Sequence, residues 1–519
     1  MGSVKILDCT LRDGGFVNNW SFGFLTIKEI VKSLNESRID IIELGFLDRD
    51  GVEDYNFTKF NSLNNIRYFV ENVKDKKSEY VVMIDYGRFS YEELLLEDTT
   101  LIDGIRVIFK KDDMEEALEL CNNINKMGLN TYIQPVSITS YSDLEILQLI
   151  EKVNLINPSA LSIVDTYGLL QKRDLYKYFY LFDTNLNKNI ELGYHSHNNF
   201  QLAFSNSIDF IQLAKNRDVI LDCSLYGMGK NAGNANTELL LMYLNQFGDN
   251  YDINYILEII DTQIMKLKLK FNWGYSFNQV LSAMNDCHPL YVKYLVDKKT
   301  LDISKINQIL TKIPVKQKLK FDEDLINSLY NGETIDNQLD YSELLQKHLN
   351  EKEILILAPG SSLKKAHDLI KNMRKGKVTI SLNFVSEDIE TDLVFISNQK
   401  RYLQIANNNR NIPIIATSNI NGKADYLIDY TMLTEGNLKL KDSSLLLLLS
   451  LLVKLKVRKV YIAGADGFSE NQNYVNGFYE LSSMENNFAK ENKRVRESIM
   501  NFRESIEIEF ITETVYLSE

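Results

Sequence analysis

Asn189-Ile190-Glu191-Leu192-Gly193-Tyr194-His195-Ser196-His197-Asn198-Asn199 reads as a buried strand that ends in two histidines. Side chains two apart on a strand point the same way. His195 and His197 therefore aim two imidazoles at one point near the strand's C-terminal end. The chain has five histidines in all, so two of them share this one stretch. Imidazole nitrogen suits Mn, Fe, Co and Zn ions. Taken alone, an H-x-H is more often a pair on a solvated strand face, and the surrounding chain has to decide.

Working outward, eight short β-rich runs occupy residues 4–9, 39–44, 80–84, 104–109, 131–135, 160–165, 190–195 and 219–224. Between them lie stretches of helical periodicity, such as Ala117, Leu118, Cys121 and Ile124 before the turn at Gly128. Strands alternating with helices imply a parallel sheet. Eight such units predict a (β/α)₈ TIM barrel, with a doubly wound sheet as the rival. Chemistry in a barrel sits at the C-terminal ends of its strands. Four features fall there: DCTLRDGG (8–15) with Arg12 and Asp13, Glu43-Leu44-Gly45, the two histidines, and the glycine-rich GMGKNAGNANTE (227–238) with Asn234. One carboxylate, two imidazoles and an amide oxygen suit a divalent cation with open positions for substrate. Arg12 adds a second positive charge, an arrangement that suits an enolate oxygen.

The 519 residues predict more than one domain. The net charge of −13 argues against a nucleic-acid binder. Four scattered cysteines without a C-x-x-C pair fit reduced thiols in a cytoplasmic protein. The most apolar run, 445–453, is too short to span a membrane.

DCTLRDGG, HSHNN and GMGKNAGNANTE together resemble the metal-dependent aldolase and lyase barrels. That superfamily includes 4-hydroxy-2-oxovalerate aldolase, hydroxymethylglutaryl-CoA lyase and isopropylmalate synthase. The aldolase branch is the most similar, over about residues 4–310. The resemblance implies a divalent metal, Mn or Mg, held by Asp13, His195 and His197. Asn234 falls where the lyase branch has a metal ligand. It also implies that Arg12 steadies the enolate of a pyruvate-like unit, that Thr166 in VDTYG (164–168) lies near the keto-acid carboxylate, and that Tyr275 reaches back from a helical extension. Glu43 is the further catalytic candidate. The implied substrates are a keto acid and an aldehyde, and a homo-oligomer is expected. The chain departs from the family at two positions. Phe16 stands where the aldolases have a basic histidine, and Gly15 where the synthases have a glutamate. Tyr275, Tyr86, Tyr226, Lys230 and a metal-bound water remain as proton-transfer candidates. Cys287 and His288 are adjacent on one element and cannot face each other as a catalytic pair, so they read as packing.

These readings divide the chain into a barrel over 1–250, a helical extension over 251–310, a polar linker over 311–350, and a Rossmann-like α/β domain over 351–519. In the last, the small-residue turn at 358–362 could hold phosphate at a helix start. With Ser381-Leu382-Asn383, Thr391–Val394 and Ala463–Gly467 it loosely resembles Rossmann-type domains related to sialyltransferases and pterin diphosphokinases. That resemblance implies a nucleotide or nucleotide-sugar pocket at Gly360, Ser361, Asn383 and Asp466. The sequence therefore predicts a metal-dependent aldolase fused to a nucleotide-sugar-binding domain of surface-glycan biosynthesis. The alternatives are an acyl-CoA lyase or synthase of the same barrel, or a barrel enzyme with an inert binding module.

Overall fold

The computed structural model describes residues 2–517 apart from 72, 74, 298–300, 302, 319, 334–340, 407–411, 435–439, 441–442 and 469–487. The chain divides into two compact units, Met1–Pro289 and Leu290–Glu519.

The first unit is a closed parallel barrel. Its strands are β1 (Val4–Asp8), β2 (Ile41–Leu47), β3 (Glu79–Asp85), β4 (Gly104–Phe109), β5 (Asn130–Pro135), β6 (Ala160–Asp165), β7 (Glu191–Ser196) and β8 (Val219–Cys223). Each pairs in parallel with its neighbours. β1 closes the ring by pairing with β2 at Leu7↔Ile41 and with β8 at Val4↔Val219. All eight predicted strands are present. A two-residue strand, Lys59–Phe60, adds to the end of β2 and was not foreseen; two residues carry no periodicity to read.

The alternation of side chains along each strand makes two cores. Outside, β-branched and leucine residues pack on helices such as Phe24–Glu36, Met114–Lys126 and Asp143–Ile156. The last of these starts in a capping box, with Ser142 accepting from Glu145 N–H while the Glu145 side chain accepts from Ser142 N–H. Inside, Leu7, Cys9, Ile41, Val81, Tyr132, Ala160 and Ile220 form a separate apolar cluster. Two residues further along the inward faces come Glu43, Arg106 and Asp222, all fully or almost fully buried. The barrel is thus apolar in its lower interior and charged just beneath its mouth. The helix Ile253–Ile259 and the segment Ile260–Ile264 that follows it continue on the outer core through Ile256, Ile259 and Ile264.

The second unit carries a seven-stranded parallel sheet: β9 (Ile354–Leu357), β10 (Val378–Leu382), β11 (Leu393–Ile396), β12 (Ile414–Thr417), β13 (Tyr426–Ile428), β14 (Lys459–Ala463) and β15 (Glu507–Phe510), in the order β13-β12-β11-β10-β9-β14-β15. The sequence pattern predicts strands over 354–357, 378–382, 393–396, 412–416 and 460–463, so β13 and β15 were not foreseen. The helix Ser444–Lys454 is buried without interruption from Leu445 to Leu452, which explains a leucine run too uniform to show a polar face. Leu345 and Leu349, on the helix Ser342–Leu349 before β9, are fully buried in the same core as Ile354 and Ile356. Among the described residues, no helix is long and apolar enough to cross a membrane.

Candidate metal centre at the barrel mouth

Asp13 follows β1 in a tight turn in which the N–H groups of Arg12 and Asp13 both donate to Cys9 O, at 3.1 and 2.8 Å. His195 lies on β7 and His197 just past its end. These three residues, separated by up to 184 positions in sequence, bring ligand atoms within 4.8 Å of one another, and all are buried. The imidazole rings stand 88° apart with centroids at 5.0 Å.

The surroundings fix which atoms face the centre. His195 Nδ1 meets Asp222 Oδ2 at 2.9 Å, and His197 Nδ1 meets the carbonyl of Gly233 at 3.2 Å. With Nδ1 of each ring turned to an oxygen acceptor, Nε2 is the nitrogen left free for a ligand. Such outer partners set tautomer and orientation at metal sites. Burial pulls the His197 pKa down to about 4, so the ring is neutral under ordinary conditions. Burial pushes the Asp13 carboxyl up, but Arg12, His197, His195 and the Asn234 amide outweigh it and hold it well below the usual range.

Asn234 donates from Nδ2 to Asp13 Oδ2 at 2.9 Å, while among the described residues its buried Oδ1 has no hydrogen-bond partner. A buried amide oxygen left unpaired is costly unless something else satisfies it. A cation among Asp13, His195 and His197 would do so. Gly229 makes room for this packing: a Cβ there would lie 2.3 Å from Asn234 Nδ2 and 2.6 Å from Asp13 Oδ2. Oxygen and imidazole donors of this kind fit a divalent first-row ion.

Arg12 is clamped below the mouth. Its Nε donates to Glu43 Oε2 and its Nη1 to Asp13 Oδ1, both at 2.7 Å. Burial lowers its pKa, yet Glu43 and Asp13 more than offset this, and the guanidinium stays charged. Glu43 Oε2 also lies 2.9 Å from Arg106 Nη1, and Arg106 Nη2 donates to Asp222. The buried set is Arg12 and Arg106 against Asp13, Glu43 and Asp222, a net charge of −1 with neutral imidazoles. A divalent cation would turn this to +1 and favour an anionic substrate. Arg106 and Asp222 were missed in the sequence. Their signal was there: a lone charge inside each of the apolar strands GIRVIF and VILDC must be paired if it points inward.

The other expected residues fare differently. Glu43 is fully buried and holds Arg12 in place, which makes it a positioning residue. Thr166 Oγ1 accepts from Ser137 N–H at 2.7 Å, joining the loops after β5 and β6. Two residues on, Gly168 has φ +60°, and a Cβ there would strike His197 O at 2.4 Å. Tyr275 is 64% exposed, and among the described residues nothing bonds to it. The residue that ties this segment to the mouth is Trp273, whose Nε1 donates to Tyr226 O at 3.1 Å. Phe16, in place of the family's histidine, packs edge-on against Trp20 at 4.7 Å and Phe46 at 6.1 Å. Of the other proton-transfer candidates, Lys230 lies over that ring at 5.1 Å.

In the second unit, Gly360, Ser361 and Asp466 come together where strand order reverses between β9 and β14. Asp466 accepts from Ser361 Oγ at 3.2 Å, from Ser362 N–H at 3.0 Å and from Ser362 Oγ. The chain's own carboxylate thus takes donors that a phosphate would need. Asn383 is one strand away, donating to Ser444 Oγ at 2.6 Å and accepting from Ser397 N–H.

Comparison with known proteins agrees with the barrel. A family model described as HMGL-like matches residues 98–267. A 4-hydroxy-2-oxovalerate aldolase of Geobacillus genomosp. 3 is 24% identical over 260 residues, covering 50% of this chain and 75% of that protein. The protein of the same name from Bacillus cereus is 25% identical over 253 residues, covering 48% of this chain and 72% of its own. The crystal structure of the N-terminal domain of a candidate aldolase from Bacteroides vulgatus superposes with a TM-score of 0.51 at 27% identity, covering 56% of this chain and 96% of that one. Residues 98–267 thus match the HMGL-like family model, and the barrel is similar to aldolase and lyase barrels, enzymes that make or break carbon–carbon bonds.

Proposed function

We propose that the barrel cleaves or forms a carbon–carbon bond next to a keto acid, through a pyruvate-like enolate, with Mn or Mg held by Asp13, His195, His197 and Asn234. One observation carries the reading: Asn234 spends its amide N–H on Asp13 and leaves its buried Oδ1 unpaired beside three converging ligands. A divalent cation there would polarise a keto oxygen and acidify the neighbouring C–H. Arg12 supplies the chain's own contribution. Glu43 and Asp13 occupy Nε and Nη1, so Nη2 is left to donate to an oxygen that gains negative charge. Aldehyde is the second substrate, as the relatives' name suggests for them. The acyl-CoA synthase alternative lacks its carboxylate at Gly15. The test uses the full chain loaded with Mn²⁺. Pyruvate methyl protons should exchange with D₂O, followed by NMR, and a chelator should stop the exchange. Exchange that persists without metal would overturn the reading.

We further propose that the reversal point of the second sheet takes a nucleotide-linked sugar. Ligands of open α/β sheets bind at such points, which supports the placement. Because Asp466 occupies the Ser362 N–H, the reading shifts from phosphate on the turn to ribose or sugar hydroxyls replacing the serine hydroxyls on Asp466. Calorimetric titration with nucleotide-sugars tests it, and no heat at millimolar ligand would reject it. The division at 251, 311 and 351 is likewise a proposal. The burial of Leu345 and Leu349 argues that a fragment beginning near 341 holds together better than one beginning at 351.

A further inference from the structure

Lys230 sits on the loop after β8, one residue beyond Gly229. Its backbone N–H donates to Asp13 Oδ2 at 3.0 Å, so the loop that carries it is fixed to the metal centre. Its Nζ lies 5.1 Å from the centroid of Phe16, on the loop after β1. Among the described residues, no carboxylate comes within 4.0 Å of that Nζ. Most neighbouring cations at the mouth are neutralised: Arg12 by Glu43 and Asp13, Lys59 by Asp48, Arg88 by Asp50, and Lys111 by Glu145. Lys230 and Lys110, the residue after β4, are not. One carboxylate, Asp85 at the end of β3, is close enough to feel both lysines, but it forms an ion pair with neither. Among the described residues, Lys230 and Lys110 are therefore ammonium groups at the rim with no ion pair, and Lys230 feels the charge of Asp13 and Asp85 without contacting either carboxylate with its Nζ.

Holding a half-buried ammonium with no carboxylate in contact is unfavourable, and contact with one aromatic face offsets only part of that. An anion brought by the substrate would remove the penalty. The pyruvate carboxylate is not that anion if, as proposed above, the keto acid lies on Arg12 and the metal ligands. The open charge is then left for the other fragment.

We propose that Lys230, backed by Lys110, is a specificity-determining residue that selects an aldehyde bearing its own negative group, a carboxylate or a phosphate, over neutral aldehydes. The inference rests on the aldolase reading of the same site, and its test separates the two.

The Mn²⁺-loaded full chain, with pyruvate present, is titrated with succinic semialdehyde and glyceraldehyde 3-phosphate, and with butanal and glyceraldehyde as neutral counterparts. Binding is read by calorimetry and turnover by product formation. One charged aldehyde should bind at least tenfold tighter than its neutral counterpart, and the better of the two identifies the anion. In Lys230→Gln that preference should fall roughly tenfold or more, mainly in KM, and Lys230→Arg should restore part of it, as expected when a buried charge loses its partner. Equal binding of charged and neutral aldehydes by the wild-type protein, or a preference that survives Lys230→Gln, overturns the proposal. Calorimetry gives this answer whether or not turnover occurs. Absence of pyruvate proton exchange in the wild-type protein counts against the aldolase reading alone.

Discussion

The barrel mouth and the reversal point of the second sheet both gather polar side chains at the C-terminal ends of parallel strands, yet they differ in what is left unsatisfied. At the mouth, among the described residues, Asn234 Oδ1 and Glu43 Oε1 are buried without hydrogen-bond partners, both histidines spend Nδ1 on an outer acceptor, and Lys230 forms no ion pair. At the sheet, Asp466 is taken up by Ser361 and Ser362, and Asn383 by Ser444 and Ser397. Unpaired buried polar atoms cost stability, so a fold that keeps several together is built to receive something. A cluster that closes on itself can be simple capping. The comparison teaches that similar placement on a fold is a weaker sign of a site than unfinished hydrogen bonding.

The sharpest way to break this comparison is to remove a ligand. His197→Ala should abolish metal binding and activity while the barrel stays folded, because His197 lies at the mouth and not in the apolar cores. Metal content by elemental analysis and far-UV circular dichroism check both halves. Next in size, Arg12→Lys should lose about 10²-fold or more in kcat, since a point ammonium cannot hold Glu43 and Asp13 and still reach substrate. Unchanged kcat with raised KM would make Arg12 a binding residue only.

Asp8 supplies a stability contrast. It is fully buried with only neutral hydrogen-bond partners, Thr10 and Thr237, and burial pushes its pKa up to about 6 from an ordinary 3.8. The folded state then holds a proton that the unfolded state has released. Stability from this group is present below about pH 4 and is lost as pH rises through 6. The loss is about 3 kcal/mol at most. Asp8→Asn should remove that slope. Both tryptophans, Trp20 and Trp273, lie in the first unit, so fluorescence-monitored urea unfolding at pH 4.5 and pH 7 reads the barrel directly. The smallest effect is expected in the second unit. Asp466→Ala should cost about 1 kcal/mol, the value of a lost helix cap, seen as a small drop in its thermal transition. A loss several times larger would mean that Asp466 holds the sheet's end together and is not a site residue.

Local pattern was enough for much of this. The eight barrel strands are each a run of inward and outward apolar residues, too regular to mistake, and the mouth ligands follow from where strands end. The leucine-rich helix Ser444–Lys454 was equally legible from its composition. β13 and β15 were not. Tyr426–Ile428 spans three residues, and the Glu507–Phe510 strand alternates glutamate with apolar residues at a sheet edge, so neither has a run long enough to stand out.

What the sequence determined by itself was the set of groups available: an aspartate after β1, two histidines at the end of β7, an asparagine after β8, and an arginine beside the aspartate. Spacing of two on a strand is a backbone property, and chain order places strand ends on one face of a barrel. Only the tertiary structure decided how those groups are used. Arg106 and Asp222 lie 116 residues apart and meet only because the ring closes, and that meeting sets the His195 tautomer. Among the described residues, the same closure leaves Asn234 Oδ1 without a hydrogen-bond partner and Lys230 over Phe16 without an ion pair, while Asp466 finds its serines across 104 residues. Whether a polar group is satisfied depends on what the far parts of the chain bring to it, and no local pattern contains that.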